Sequence, residues 1–279
     1  MLVNSNTLLQ NALKEGYAIP AYNINNLEWT RFILEVCNDD KSPVILAVTP
    51  KSIEYFGSYK IVVNTVKSLI DELNIKIPVV LHLDHGKTIE QCKLAIDAGF
   101  TSVMLDASDK SLQDNINDTN EVVSYAKEKE VSVEAEIGSM TNESNENLAN
   151  AEDAKKIVIE TGINSLAPAV GNLHGVYKKE PSLNFDLLGM ICKACNIPLV
   201  LHGASGLDEN KIKTAIFCGI SKININTDLM LAWSSSVRNY LNYDKTVYDP
   251  RKIIKSGENS IKKVIHQKNN LFGSKNRAF

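Results

Sequence analysis

Short apolar runs alternate with longer stretches of helical spacing along the whole chain. Runs rich in β-branched residues predict buried parallel strands, because a strand covered on both faces is hydrophobic throughout. The predicted strands are residues 18–23, 44–48, 78–83, 101–106, 131–136, 165–170, 198–203 and 221–226. Apolar residues at helical spacing predict helices over 4–15, 28–38, 61–73, 89–98, 112–129, 151–160, 181–195 and 208–218, with two more near 229–241 and 251–268.

This alternation predicts an α/β fold with a parallel sheet. Eight strand–helix units in 279 residues favour a closed (β/α)₈ TIM barrel over an open doubly wound sheet. No G-x-G-x-x-G follows the first strand, which weakens the dinucleotide-binding alternative. No linker-like segment divides the chain. Residues 1–279 are therefore predicted to form one barrel domain with extra C-terminal helices.

Composition narrows the class of protein. A net charge of -3 gives no indication of a surface that binds nucleic acid, and no apolar run approaches the roughly 18 residues that span a bilayer. The N-terminal residues lack the basic and apolar regions of a signal peptide. Five scattered cysteines indicate reduced thiols, and Cys192 and Cys195 fall within a helical pattern with no second pair to complete a zinc site. We expect a soluble, cytoplasmic protein.

Polar or reactive side chains follow every predicted strand. In a barrel the C-terminal ends of the strands meet on one face, so residues remote in sequence converge there. In chain order they are Asn23, Thr49, Asp84 with His85, Asp106, Glu136, His174, His202, and Asn224 with Asn226.

Three of these side chains are imidazoles from three different strands. His85, His174 and His202 form the usual protein set for a catalytic Zn²⁺ with one open position. Asp106 and Glu136 lie on the rim between them, either as partners of the ligands or as a second cation position. The other two histidines are predicted to lie elsewhere: His82 as a structural residue and His266 in the C-terminal helix.

Glycine-rich loops follow strands six to eight. They contain Gly171 and Gly175, then Gly203-Ala-Ser205-Gly206, then Asn224-Ile-Asn-Thr227. Glycines let backbone N–H groups approach an anion, hydroxyls add donors, and phosphate binding after strands seven and eight is common in this fold. The substrate is therefore predicted to be phosphorylated, with a carbonyl or hydroxyl that reaches the cation.

Motifs from residue 3 to about residue 270 resemble those of the class II, metal-dependent ketose-bisphosphate aldolases, which include fructose- and tagatose-bisphosphate aldolases. They are Ala21-Tyr-Asn-Ile-Asn-Asn-Leu-Glu28, Leu81-His-Leu-Asp-His-Gly86, Ser102-Val-Met-Leu-Asp-Ala-Ser108, Ser132-Val-Glu-Ala-Glu-Ile-Gly138, His174-Gly-Val-Tyr-Lys178, Leu201-His-Gly-Ala-Ser-Gly206, Lys222-Ile-Asn-Ile-Asn-Thr227 and Asp249-Pro-Arg251. The resemblance implies reversible aldol cleavage of a ketose 1,6-bisphosphate to dihydroxyacetone phosphate and glyceraldehyde 3-phosphate, a reaction of glycolysis and carbohydrate metabolism.

The resemblance also implies roles for individual residues. Asp84 is the acid/base, and the three strand-end histidines hold Zn²⁺. Lys178 lies near a substrate phosphate and a monovalent cation, Na⁺ or K⁺. Arg251 reaches into the site of a neighbouring subunit and holds the far phosphate, which implies a homodimer or homotetramer. The dihydroxyacetone-phosphate half contacts Asn23, Gly175, Gly203, Ser205, Asn224 and Thr227, with Asn226 placed to touch substrate hydroxyls.

The loop after strand five departs from the family pattern. Relatives carry Gly-Gly-x-Glu-Asp there, and that glutamate protonates the enediolate carbon; this chain has Ser139-Met-Thr-Asn-Glu143-Ser-Asn-Glu146. Relative to the position of that glutamate in the family, Glu143 lies one position early and Glu146 lies two positions late. We predict Glu143 as the replacement acid, with Glu146 as the other candidate. The alternative is that this chain has no loop acid, which would make it a slow aldolase or one with an altered substrate.

Alternative functions remain open from sequence. One is a class II aldolase with a different aldehyde half, such as a deoxy-sugar phosphate, and another is a metal- and sugar-phosphate-binding paralogue with weak turnover. A metal-dependent hydrolase lacks support, because no His-x-His opens the first strand and no bridging lysine is evident. Gly203-Ala-Ser-Gly206 and Thr49-Pro50, which is predicted to form a turn after the second strand, resemble tagatose-type members, whereas Asn226 resembles fructose-type members.

Overall fold

The computed structural model describes residues 2–138, 148–173, 175 and 181–278. Eight parallel strands close into a barrel in the order β1 to β8, with β1 paired to β8, which confirms the predicted TIM barrel. The strands are β1 Ile19–Asn23, β2 Val44–Val48, β3 Val79–Gly86, β4 Ser102–Leu105, β5 Ser132–Ile137, β6 Ser165–Pro168, β7 Leu199–Leu201 and β8 Ile220–Ile225.

Helices surround the barrel at nearly the predicted positions. Their starts follow local capping chemistry: the Thr88 side chain accepts a bond from the N–H of Gln91 at the start of α5, and Gly99 ends that helix in the left-handed conformation. The helices are α1 Asn6–Glu15, α2 Leu27–Asp39, α3 Pro50–Phe56, α4 Tyr59–Glu72, α5 Ile89–Ala98, α6 Leu112–Lys127, α7 Ala151–Thr161, α8 Phe185–Cys195, α9 Glu209–Phe217, α10 Thr227–Tyr243, α11 Pro250–Lys255 and α12 Glu258–Leu271. Within the described residues, no helix combines the length and apolar character needed to cross a membrane.

Two features of the helical layer differ from the sequence prediction. Thr49-Pro50, predicted as a turn, begins the short helix α3, with the Thr49 hydroxyl bonded to the N–H of Ser52. The single helix predicted near 251–268 is divided into α11 and α12 at Gly257, where a Cβ atom would lie 2.1 Å from Trp233 Cδ1. The division therefore reflects packing against Trp233.

The barrel interior is arranged in layers, because every second residue of a strand faces inward. Val80 of β3 belongs to an apolar cluster with Leu9 of α1 and Ile45 of β2. Two residues further along β3 comes His82, and two further comes Asp84. Polar side chains thus occupy the interior from the middle of the barrel to its C-terminal end.

Candidate active site

Asp84 is held at the end of β3 by two amide groups. Asn23 Nδ2 donates to Asp84 Oδ2 at 2.8 Å, and Asn224 Nδ2 donates to Asp84 Oδ1 at 3.1 Å. Burial alone would raise the pKa of Asp84, but His85, His202, Lys222 and the bond from Asn23 lower it to about 2. The structure therefore presents an ionised, fixed carboxylate beside two imidazoles.

His85 follows Asp84 in a left-handed backbone conformation, with φ of 53°. Its Nδ1 donates to Asp106 Oδ2 at 2.8 Å, so Nε2 is the ring nitrogen whose lone pair suits a metal. Burial lowers the pKa of His85, but Asp84, Asp106 and Glu136 together raise it to about 9. The same negative environment that favours the imidazolium also favours a metal cation.

His202, just after β7, is fixed through its other ring nitrogen. Its Nε2 donates to Glu134 Oε1 at 2.9 Å, which makes Nδ1 the atom suited to a metal. The backbone oxygen of His202 accepts a bond from Asn172 Nδ2 at 3.0 Å. The centroids of the His85 and His202 rings lie 4.6 Å apart.

Beneath His202 lies a buried network that joins four strands, β3, β4, β5 and β8. Lys222 Nζ donates to Glu134 Oε2 at 2.6 Å and to His82 Nε2 at 3.1 Å. Burial and Lys222 lower the pKa of His82 well below its ordinary value, so the ring is neutral and its Nδ1 donates to Ser102 Oγ at 2.8 Å. The network holds Glu134 in place and, through Glu134, the ring of His202.

Two groups of donor atoms could each hold a metal ion. The ligand atoms of Asp84, His85 and His202 lie within 4.8 Å of one another, and so do those of His85, Asp106 and Glu136. Imidazole nitrogen and carboxylate oxygen suit Zn²⁺ and similar divalent ions. Glu136 Oε2 is buried without a hydrogen-bond partner among the described residues, as expected of an oxygen that serves a cation. The residues present therefore fit a divalent metal.

Glu136 differs from Asp84 in its electrostatics. Burial and the nearby Asp106 carboxylate raise the pKa of Glu136 to about 8. Asp106 has a pKa held well below its usual range against burial, by hydrogen bonds from His85, Lys87 and Ser108. Negative charge at this rim is thus concentrated on Asp106.

The predicted substrate-binding residues of β8 and the following loop lie at the same end of the barrel. Asn224 Oδ1 and Asn226 Oδ1 are buried without hydrogen-bond partners among the described residues. Thr227 is the first residue of α10, and Ser205 Oγ accepts a bond from the N–H of Asp228 at 3.2 Å. Unpaired buried acceptors suit the hydroxyl groups of a substrate, and the N-terminus of α10 suits an anionic group.

Other predicted residues lie outside this cluster or outside the described residues. Gly203 and Gly175 adopt φ of 62° and 94°, in keeping with tight loops, and Gly175 is exposed. Arg251 pairs with Asp249 at 3.0 Å, and its side chain is 90% exposed. Four predicted residues lie outside the described residues: the zinc ligand His174, the phosphate-binding Lys178, and the two candidate loop acids Glu143 and Glu146.

Several residues of the site were not predicted from the sequence. Lys222 interrupts an apolar strand two residues before Asn224, so both side chains lie on the same face of β8, and this spacing could have indicated that Lys222 points into the barrel. Lys87 Nζ lies 2.6 Å from Asp106 Oδ2, and Asn172 bonds the His202 backbone; both sit in loops where no periodicity indicates direction.

Known proteins of one family match this chain along nearly its whole length. The family model "Fructose-bisphosphate aldolase class-II" matches residues 3–277. The chain is 46% identical to the fructose-bisphosphate aldolase of Geobacillus stearothermophilus and 44% identical to that of Staphylococcus aureus (strain Mu50), with 99% of each chain covered in both cases.

Solved structures that share the fold of this chain are also aldolases. The YdjI aldolase from Escherichia coli K12 superposes with a TM-score of 0.89 at 33% identity, with 100% of both chains covered. The fructose-bisphosphate aldolase of Campylobacter jejuni gives a TM-score of 0.85 at 26% identity, covering 99% of this chain and 96% of that one. A full-length family match, full-length relatives and a shared barrel together lead to one conclusion: this chain belongs to the class II fructose-bisphosphate aldolase family, whose members are carbon–carbon lyases.

Proposed function

We propose that this protein cleaves fructose 1,6-bisphosphate reversibly to dihydroxyacetone phosphate and glyceraldehyde 3-phosphate, with the help of a bound divalent metal. The observation that carries the proposal is the ionised carboxylate of Asp84 beside the rings of His85 and His202. A base and a metal site in contact are what the cleavage of a β-hydroxy ketone requires.

The metal in this proposal is Zn²⁺. His85 would bind it through Nε2 and His202 through Nδ1, because the other nitrogen of each ring bonds a carboxylate. His174, outside the described residues, is the proposed third ligand. When bound, Zn²⁺ supplies a Lewis acid for the negative charge that develops on the carbonyl and hydroxyl oxygens, a contribution of several kcal/mol.

Asp84 carries the first proton transfer. Its carboxylate takes the proton of the substrate hydroxyl beside the breaking carbon–carbon bond and returns it in the condensation direction. Asn23 and Asn224 each bond one of its two oxygens, which fixes the plane of the carboxylate while leaving further lone pairs for the hydroxyl. The low pKa keeps Asp84 ionised, and so able to accept a proton, at pH values around neutrality.

The second proton goes to the carbon of the enediolate. In our proposal the donor is Glu143, with Glu146 as the alternative. Both residues lie outside the described residues, and the support is their place in the loop that follows β5. Glu136, with its raised pKa, is the last residue but one of β5 and lies at the barrel rim beside Asp106.

The buried acceptors of Asn224 and Asn226 suit the hydroxyls of the dihydroxyacetone-phosphate half. Ser205, Thr227 and the loop glycines Gly175 and Gly203 would surround its phosphate, close to the start of α10. Lys178, with a bound Na⁺ or K⁺, completes that phosphate site in the proposal.

We also propose that the protein is at least a homodimer, in which Arg251 holds the far phosphate in the neighbouring site. The Arg251 guanidinium is 90% exposed and so is able to reach beyond its own subunit. Exposed apolar side chains beside Thr227 support an interface there: Tyr55 is 78% exposed and Leu231 is 50% exposed.

The substrate can be tested directly against its epimer. The relatives named above are fructose-bisphosphate aldolases, which favours fructose over tagatose 1,6-bisphosphate. We expect kcat/KM for fructose 1,6-bisphosphate to exceed that for tagatose 1,6-bisphosphate in a coupled triose-phosphate assay with Zn²⁺ present. A higher kcat/KM for tagatose 1,6-bisphosphate, or no cleavage of either, would contradict the assignment.

A further inference from the structure

A lysine ammonium group occupies part of the second donor cluster. The cluster consists of His85, Asp106 and Glu136, whose ligand atoms lie within 4.8 Å of one another. Lys87 follows β3 directly, and its Nζ donates to Asp106 Oδ2 at 2.6 Å. Its side chain is 55% exposed, whereas that of Asp106 is 5% exposed, so the ammonium enters the cluster from the solvent side.

The carboxylate that Lys87 contacts is already fully engaged. Asp106 Oδ2 accepts from both His85 Nδ1 and Lys87 Nζ, and Asp106 Oδ1 accepts from the hydroxyl of Ser108. A divalent cation bound at Oδ2 would lie against the ammonium, and two cations at one oxygen repel each other strongly in a partly buried site. A metal can therefore use Asp106 Oδ2 only after Lys87 has moved away.

Glu136 indicates that the cluster has capacity for a cation. Its side chain is 3% exposed, and its Oε2 has no hydrogen-bond partner among the described residues. Asp106 and Glu136 together offer the oxygens of two carboxyl groups, and Lys87 supplies one positive charge on a flexible four-carbon stem. The ammonium neutralises Asp106 and occupies the Asp106 oxygen that a divalent ion shared with Glu136 would need.

We infer that Lys87 acts as a tethered counter-ion that competes with a second divalent metal for Asp106 and Glu136. The enzyme then holds one metal ion per chain, at His85 and His202, under conditions in which a chain without Lys87 would also hold a second ion at Asp106 and Glu136. This inference rests on the proposed metal site at His85 and His202 and adds a residue that controls the occupancy of the neighbouring position.

The test is a Zn²⁺ titration of chelator-treated protein by calorimetry, with bound metal counted by elemental analysis. Lys87→Met removes the charge but keeps the stem, and Lys87→Gln removes the charge but keeps a donor. Lys110→Met is the matched control, since Lys110 Nζ also lies 2.6 Å from a carboxylate, that of Asp118, and its side chain is 46% exposed.

We expect both Lys87 variants to bind a second Zn²⁺ about tenfold more tightly than the wild type. This is the lower end of the range for the loss of a charge-assisted hydrogen bond, because the lysine is half exposed. Lys110→Met should match the wild type. Equal second-ion affinities in wild type and Lys87→Met, or no second ion in either, would overturn the inference. Failure of the proposed function is distinguishable, because the first Zn²⁺ would then be missing in every variant.

Discussion

The buried pair of Lys222 and Glu134 gives the most demanding prediction about the interior of the barrel. Lys222 Nζ lies 2.6 Å from Glu134 Oε2, and the side chains are 1% and 2% exposed. Lys222→Met keeps the apolar stem and removes the ammonium. The buried Glu134 carboxylate then retains the His202 ring at 2.9 Å and the Ser165 hydroxyl at 3.5 Å as hydrogen-bond partners, but no positively charged lysine. Removal of one member of a buried ion pair costs about 3–5 kcal/mol.

That cost can be measured as a shift in the midpoint of thermal unfolding. At roughly 2 °C per kcal/mol for a protein of this size, Lys222→Met should lower Tm by about 6–10 °C. Because Glu134 orients His202, the same variant should also bind Zn²⁺ about 10–100-fold more weakly. Lys93→Met is the surface control: Lys93 pairs with Glu121 at 2.6 Å, but the Glu121 side chain is 55% exposed, so loss of this pair should leave Tm close to that of the wild type.

A double variant separates loss of the pair from general damage. Lys222→Met with Glu134→Gln removes both charges and keeps a carbonyl oxygen that can accept from His202 Nε2. The two losses should therefore be strongly non-additive, and the double variant should regain more than half of the Tm lost in Lys222→Met. A double variant no more stable than Lys222→Met, or a Tm for Lys222→Met within about 2 °C of the wild type, would mean that the pair does not stabilise the barrel interior.

Three further predictions concern catalysis. Asp84→Asn should lower kcat about 10²–10⁴-fold with one Zn²⁺ per chain retained, as measured by a coupled assay and elemental analysis; a kcat within threefold of the wild type would argue against Asp84 as the base. Of Glu143→Gln and Glu146→Gln, one should cost about 10²–10⁴ in rate and the other little, and an oxidant that intercepts the enediolate should restore turnover of the impaired variant; wild-type rates in both and in the double variant would mean that the loop supplies no acid. Arg251→Ala should raise KM for the bisphosphate at unchanged zinc content, and subunit exchange with Asp84→Asn should regenerate sites free of both lesions; no recovery after confirmed exchange would place Arg251 outside the neighbouring site.

Sequence alone predicted the architecture because its signals are local. Every strand of the barrel was found from a short apolar run, and the cap residues Thr88 and Gly99 gave the ends of α5. The departures have non-local or ambiguous causes. Thr49-Pro50 fits a turn as well as a helix start, and the break at Gly257 depends on Trp233, which lies in a different helix.

The site was predictable only in part, for the same reason. Strand ends must converge in a barrel, so Asp84, His85 and His202 were expected to meet, and the described structure brings them together. Which inward residues meet across the barrel depends on strand stagger, and this is why the contact of Lys222 with Glu134 and His82 was not foreseen. Lys87 was missed because a loop residue has no periodicity from which its direction can be read.

We propose that a metal held by strand-end histidines enables cleavage of a ketose 1,6-bisphosphate. This can be tested by following fructose 1,6-bisphosphate cleavage after chelator treatment and during back-titration with Zn²⁺. We expect cleavage to fall to background in chelator and to return in proportion to bound Zn²⁺, whereas His202→Ala should fold but neither bind the metal nor recover activity. Undiminished cleavage in excess chelator, with no metal detected by elemental analysis, would contradict it.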